Sequence, residues 1–186
     1  METIDSAIAL KGKTVLVIGS GADVDGRGLG AAIDAGEIAD VVIRVNKHYG
    51  SREDVGSRTD IIFTRWRAWL DRMVGWFEPE VVEGAGYIVA LNENFHWKKE
   101  WSELVRKEAG VNNPSAGLMA VWWALVHGAE EVKVIGFGFR ADGGEDKEKR
   151  YGEHSFQYSG AVDKNPNYDF AAERRWHSNQ KGVTLL

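Results

Sequence analysis

The residues best suited to chemistry in this chain gather around glycine. Gly19, Ser20 and Gly21 open a loop, Gly19-Ser-Gly-Ala-Asp-Val-Asp-Gly-Arg-Gly-Leu-Gly30, directly after the apolar β-branched run Thr14–Ile18. A glycine loop between a strand and a helix offers unhindered backbone N–H groups beside a positive helix end, which suits an anion such as phosphate. Ser115-Ala116-Gly117 follows Asn113-Pro114 and starts an apolar stretch, so its hydroxyl and amides belong at a helix start with the same preference for phosphate. Asn46 ends a second β-branched run, Val41–Val45, where its amide can both donate and accept. Gly136-Phe137-Gly138 closes another strand-like run. Each feature also has a plain structural reading: glycines let a chain turn tightly, and a serine before a helix is an ordinary N-cap.

These groups need a scaffold, and the pattern supplies one. Strands are expected at Thr14–Ile18, Val41–Val45, Asp60–Phe63, Tyr87–Leu91, Val132–Ile135 and Val183–Leu186. Helices are expected at Leu29–Ala35, along the stripe Trp66, Trp69, Leu70, Met73, Trp76 and Phe77, over Lys98–Lys107 with Trp101 and Leu104 inward, over Ala116–His127, and near Asp169–Ser178. Alternating strands and helices predict an α/β fold, a single Rossmann-like domain over 1–186 with a mainly parallel sheet flanked by helices. Ligands in such sheets sit beyond the carboxyl ends of the strands, where the glycine clusters fall. The polar stretch 139–167 reads as a lid or acceptor loop that would exclude water.

Composition narrows the classes. The 186 residues carry 23 Lys+Arg against 28 Asp+Glu, a net charge of −5, so no strong basic field points to nucleic acid or membrane. Zero cysteines exclude disulfide scaffolds, thiolate metal sites and cysteine nucleophiles. No apolar run near the start is long enough for a signal or a span, and a cytoplasmic enzyme is the expectation. No His/Asp/Glu set has convincing metal-ligand spacing, so no metal is expected. The glycine spacing departs from the dinucleotide fingerprint G-x-G-x-x-G, and the second strand ends in Arg44-Val45-Asn46 without the acid a nicotinamide ribose requires; Asp40 lies before that strand. No Gly-Lys-Ser/Thr follows the loop, so the Walker pattern fails as well.

Three stretches together resemble the large motif of the sialyltransferase family of inverting glycosyltransferases (family 29): Val17–Asp34, Val42-Ile-Arg-Val-Asn46 and Asp54-Val-Gly-Ser-Arg-Thr59. Asn113–Leu125, continued by Glu131–Gly138, is similar to the family's small motif. Tyr151–Tyr158 resembles its third motif, and Tyr168–Glu173 has the H-x₄-E spacing of its very small motif. The resemblance implies a GT-A-variant, sialyltransferase-like domain that uses a CMP-activated sugar donor and no metal or other cofactor. It implies donor contacts for Gly19, Ser20, Gly21, Asn46, Ser115, Ala116, Gly117, Gly136, Phe137 and Gly138. The partners would be a nucleotide sugar and a glycan or other hydroxyl acceptor.

The departures from the family pattern are specific. The loop reads Gly19-Ser20-Gly21 where the family usually has Gly-Asn-Ser, and the disulfide and membrane anchor of vertebrate members are not expected here, as in a cytosolic bacterial or viral relative. Segments that shape acceptor pockets in longer members are also lacking. Tyr168 occupies the place of the family's candidate base histidine. A phenol of pKa near 10 is ionised only about one part in a thousand at neutral pH, a poor unassisted base. His154, from the third motif, has suitable chemistry and is the expected base or phosphate partner, with Tyr168 assisting. Glu173 could orient a neighbour or sit solvated on its helix. Arg58 reads as an anchor between loop and strand. Two alternatives stand beside this reading: a glycosyltransferase that decorates modified DNA or another viral acceptor, and a non-catalytic nucleotide-binding module that has lost its catalytic histidine.

Overall fold

The structure, a computed structural model, describes residues 10–19, 21–46, 50–64, 86–90, 99–137 and 170–186. Six strands form one sheet: β1 (Thr14–Ile18), β2 (Val41–Val45), β3 (Ile61–Thr64), β4 (Tyr87–Ala90), β5 (Glu131–Ile135) and β6 (Val183–Leu185). Their order is β4-β3-β2-β1-β5-β6, and every adjacent pair is parallel. The five helices among the described residues are α1 (Gly30–Asp34), α2 (Arg52–Val55), α3 (Lys99–Ala109), α4 (Ala116–Val126) and α5 (Phe170–Asn179). This is the expected parallel α/β architecture; the expected elements among the described residues have boundaries within two residues of the sequence pattern, and the short α2 is additional to it.

The strand residues are apolar on both faces because both faces are covered. Val15 and Val17 of β1, Ile43 and Val45 of β2, Ile61 and Phe63 of β3, and Val132 and Val134 of β5 pack with α4 and with Ala172 and Trp176 of α5. Leu16 and Ile18 point the other way, to Val24, Ile33, Val42 and Val55 around α1 and α2. The adjacent tryptophans of α4 divide as helical geometry requires. Trp123 is fully buried with its ring 5.9 Å from that of Phe63, while Trp122 meets Trp101 of α3 at 6.2 Å and donates from Nε1 to Glu108 Oε2 at 3.1 Å.

One inward assignment fails. Leu104 is 54% exposed, and Val105 takes the buried position instead. From Trp101 the face that meets the core continues four residues on, to Val105 and then Ala109, so the third residue falls at the margin. The proposed helix over 66–77 and the loop 139–167 lie outside the described residues.

The amino edge of the sheet is fixed by polar side chains. Asp40 Oδ2 accepts from Thr14 N at 2.9 Å and Asp60 Oδ2 from Val42 N at 2.8 Å, so the carboxylates satisfy the first amide of β1 and the second of β2. Asp40 therefore serves the sheet edge remote from the strands' carboxyl ends. Arg58 spans the same region, with Nη2 donating to Asp40 O at 2.6 Å and pairing with Asp60 at 3.1 Å, the anchoring role its sequence position suggests.

Arg44 carries a positive charge into the interior at only 1% exposure. Its Nε donates to Thr59 Oγ1 at 2.8 Å and to Arg58 O at 3.2 Å, and its Nη2 to Val55 O at 2.8 Å and Gly56 O at 3.0 Å. The planar guanidinium suits this fan of acceptors, which holds the segment between α2 and β3 against β2. Asp34 completes that segment by accepting from Ser57 N at 2.8 Å and Arg58 N at 2.7 Å. Arg44→Met should strand these acceptors and lower the unfolding free energy by about 3 kcal/mol in urea titration; a loss below about 1 kcal/mol would contradict the role.

Candidate functional site

The strand order reverses between β1 and β5, with β2 to one side of β1 and β6 beyond β5. Helices leave on opposite faces there, which opens a crevice at the carboxyl edge. Gly19 follows β1 and Gly136 follows β5, and the structure brings the two backbones into contact. A Cβ on Gly19 would collide with the Gly136 carbonyl oxygen, and one on Gly136 would lie 2.6 Å from Gly19 O. Gly136 also has φ +79°, a conformation that disfavours any side chain.

Hydrogen bonds close the same junction. Gly19 N donates to Ile135 O at 2.8 Å and Gly21 N to Gly136 O at 2.6 Å, while Gly136 N donates to Asp23 Oδ2 at 2.9 Å. Two amides that the sequence offered to a phosphate are thus used inside the protein. The cause is geometric, since the glycines allow so close an approach that the end of β5 becomes the nearest acceptor.

Phe137 carries the junction across to α4. Its ring fills the space that a side chain on Gly117 would need, with Cε1 2.5 Å from a Cβ built there. Gly19, Gly21, Gly117, Gly136 and Phe137 are therefore one contiguous group. Asn46 stands at the same edge one strand over, in the left-handed conformation (φ 58°) that asparagine tolerates, with its N–H donating to Phe63 O at 2.8 Å. Ser20, Gly138, His154 and Tyr168 lie outside the described residues.

Ser115 is the N-cap of α4, accepting from Leu118 N at 3.1 Å. Its own donors go to one partner: Ser115 N to Glu173 Oε1 and Ser115 Oγ to Glu173 Oε2, both at 2.7 Å. Glu173 is 1% exposed, so of its two readings the orienting one holds. With Ser115 committed, no hydrogen bond joins the amides of Ala116 and Gly117 to another described residue, and they are the first-turn donors that remain at the positive end of α4.

One turn beyond Glu173, His177 is fully buried on α5. Its ring meets Phe137 edge-on at 5.3 Å and Trp176 at 5.2 Å. Loss of hydration in this aromatic setting pushes its pKa down from 6.5 to about 3. Helix α5 thus grips the site wall twice, at Ser115 through Glu173 and at Phe137 through His177. Farther along the glycine-rich segment, Asp54 accepts from Gly28 N at 3.1 Å and from Ser51 Oγ at 2.9 Å, bonds that lower its pKa.

Sequence reasoning gave no role to Asp23 and did not see His177 as buried. Asp23 did leave a trace: a carboxylate inside a loop offered to an anion is repulsive unless the protein supplies its own donor. His177 left none, because Phe137, against which its ring packs, comes from the distant turn after β5. Among the described residues no group of three or more potential ligands could hold a metal ion, and no helix is long and apolar enough to cross a membrane.

The model of a protein family described as glycosyltransferase family 29 (sialyltransferase) matches residues 8–102. Among solved structures the chain is similar to a mammalian sialyltransferase in complex with Gal-beta-1-3GalNAc-ortho-nitrophenol. The TM-score is 0.59 and the identity 18%, with 94% of this chain and 69% of that chain covered. At that identity the likeness is one of fold. No curated protein matches the chain in sequence.

Two outcomes follow from α5. Glu173→Ala should remove both acceptors of Ser115 and cost about 2 kcal/mol of stability by chemical denaturation, and an unchanged midpoint would count against the clamp. A histidine with a folded pKa below its unfolded 6.5 contributes stability that is fully present above 6.5 and is lost as pH falls towards about 3. His177→Leu should therefore flatten the acid limb of the stability profile by up to about 1.4 kcal/mol per pH unit below that point. Parallel profiles for the two proteins would refute this.

Proposed function

Since the chain belongs to glycosyltransferase family 29, the sialyltransferases, we propose that this glycosyltransferase transfers a sialic-acid-like sugar from a CMP-activated donor to an acceptor hydroxyl, with inversion and without a metal. The carrying observation is that the family match over residues 8–102 includes β1, the glycine loop and Asn46, and that this loop lines the switch-point crevice.

In this reading the nucleotide lies along the carboxyl edge between the glycine junction and Asn46. Asn46 offers an amide to the nucleotide, and Gly19 and Gly21, with Gly136 and Phe137 across from them, present backbone at close range. Ser20 adds a hydroxyl to that loop. The leaving phosphate faces the first turn of α4, where the amides of Ala116 and Gly117 and the positive helix end stabilise the charge that develops on it. A fixed set of donors in this position supports departure of CMP with no metal assistance. Ser115, held by Glu173, fixes the direction of that turn.

The acceptor hydroxyl gives its proton to His154, assisted by Tyr168, and attacks the anomeric carbon from the side opposite the phosphate. One carbon–oxygen bond forms as the bond to CMP breaks, so the configuration inverts. Imidazole suits this task because its unperturbed pKa lies near working pH.

Purified protein mixed with CMP-sialic acid and a panel of hydroxyl acceptors should release CMP in an acceptor-dependent manner. His154→Ala should lower kcat by about 10²–10⁴ while the donor KM changes little. Wild-type activity in that variant would remove His154 from the mechanism, and failure of any CMP-sugar to bind or turn over would overturn the choice of donor.

A further inference from the structure

We infer that Asp23 is a positioning residue, a latch whose carboxylate holds the end of β5 against the glycine loop and so sets the shape of the ligand crevice. The inference rests on the proposed use of that crevice for a nucleotide.

Asp23 lies in the short 3₁₀ helix Ala22–Val24 and is 7% exposed. Its Oδ2 accepts from Gly136 N at 2.9 Å, bridging two points 113 residues apart in sequence. Gly136 is turned into the left-handed region, and there the side chain of Asp23 accepts its N–H. The remaining bonds of the junction, Gly19 N to Ile135 O and Gly21 N to Gly136 O, join backbone to backbone. Asp23 is the side chain in this set, and so the part that a substitution can remove.

The residue is held from both ends. Arg27 Nε donates to its backbone oxygen at 2.9 Å, and the same guanidinium reaches Leu186 O at 3.1 Å beside β6. Beyond Gly136 the next residue is Phe137, whose ring sits on Gly117 at the start of α4. A mechanical line therefore runs from Asp23 through Gly136 and Phe137 to the helix turn assigned to the donor phosphate.

The charge logic agrees. A carboxylate placed within an anion-binding loop would repel the ligand, whereas one bonded to a buried amide is fixed away from it and takes the place at Gly136 N–H that a ligand oxygen would otherwise fill. The loop thus acts as a spacer closed by its own anion, which leaves the anion-binding work to the first turn of α4.

The test compares Asp23→Ala with Asp23→Asn, because asparagine Oδ1 can accept the same N–H without the charge. Amide exchange followed by NMR should show protection at Gly136 lost in D23A and retained in D23N, while thermal unfolding establishes that both are folded. CMP titration should show affinity weakened about tenfold in D23A and returned towards wild type in D23N, with donor KM following and kcat nearly constant. Unchanged Gly136 protection in D23A would overturn the latch, as would equal weakening in both variants, which would assign the effect to charge. If wild-type protein fails to bind CMP, the nucleotide reading falls, and Gly136 exchange still decides the latch.

Discussion

The organisation of this glycosyltransferase depends on how closely two glycine backbones approach where the sheet changes direction. Gly19 and Gly136 each occupy the space that a Cβ on the other would need. That contact lets the chain after β1 hydrogen-bond to the end of β5, and it turns Phe137 onto Gly117. The elements that line the crevice, namely the glycine loop, the turn after β5 and the first turn of α4, take their positions from this one approach. The same approach settles which amides are left for a ligand. Those of Gly19, Gly21 and Gly136 are consumed in making the junction, whereas those of Ala116 and Gly117 bond to no other described residue.

The two edges of the sheet are built on different principles. At the amino edge, Asp40 and Asp60 accept from amides at the starts of β1 and β2, and buried Arg44 gathers the acceptors of the segment leading into β3. A buried guanidinium with this many partners stiffens that edge. At the carboxyl edge, small residues let backbone segments approach one another closely beside the start of α4. Helix α5 joins the second edge from outside, through Glu173 on Ser115 and His177 against Phe137. The segment with the very small motif's spacing thus supplies structural support as well as the proposed Tyr168.

Much of the fold was legible because β-branched runs ending in glycine or asparagine are strong strand signals, and the strand ends at Gly19, Asn46 and Gly136 fall where the pattern puts them. The misplaced Leu104 shows the limit: Leu104 and Val105 are both apolar neighbours on α3, and only the direction of contact with α4 decides which is buried. For the site, the sequence placed Ser115 at a helix start and grouped it with the glycines. It left open whether Glu173 was solvated or orienting, since the 58 residues between Glu173 and Ser115 carry no local sign of their meeting. Arg44 was quoted within a motif, but its neutral cage of carbonyl and hydroxyl oxygens comes from a different stretch of chain.

The sequence by itself determined the parallel α/β class, the family and the set of small residues at the strand ends, because each of these is written in local runs of residue types. Tertiary structure alone decided which of those residues are spent on bonds within the protein. Hydrogen-bond donors are used by whichever acceptor is nearest, and the nearest acceptor of Gly21, Gly136 or Ser115 is a distant residue that only folding brings within 3 Å. Residue type therefore specified which amides and hydroxyls could serve an anion, and packing decided that those of Gly19, Gly21, Gly136 and Ser115 bond inside the protein.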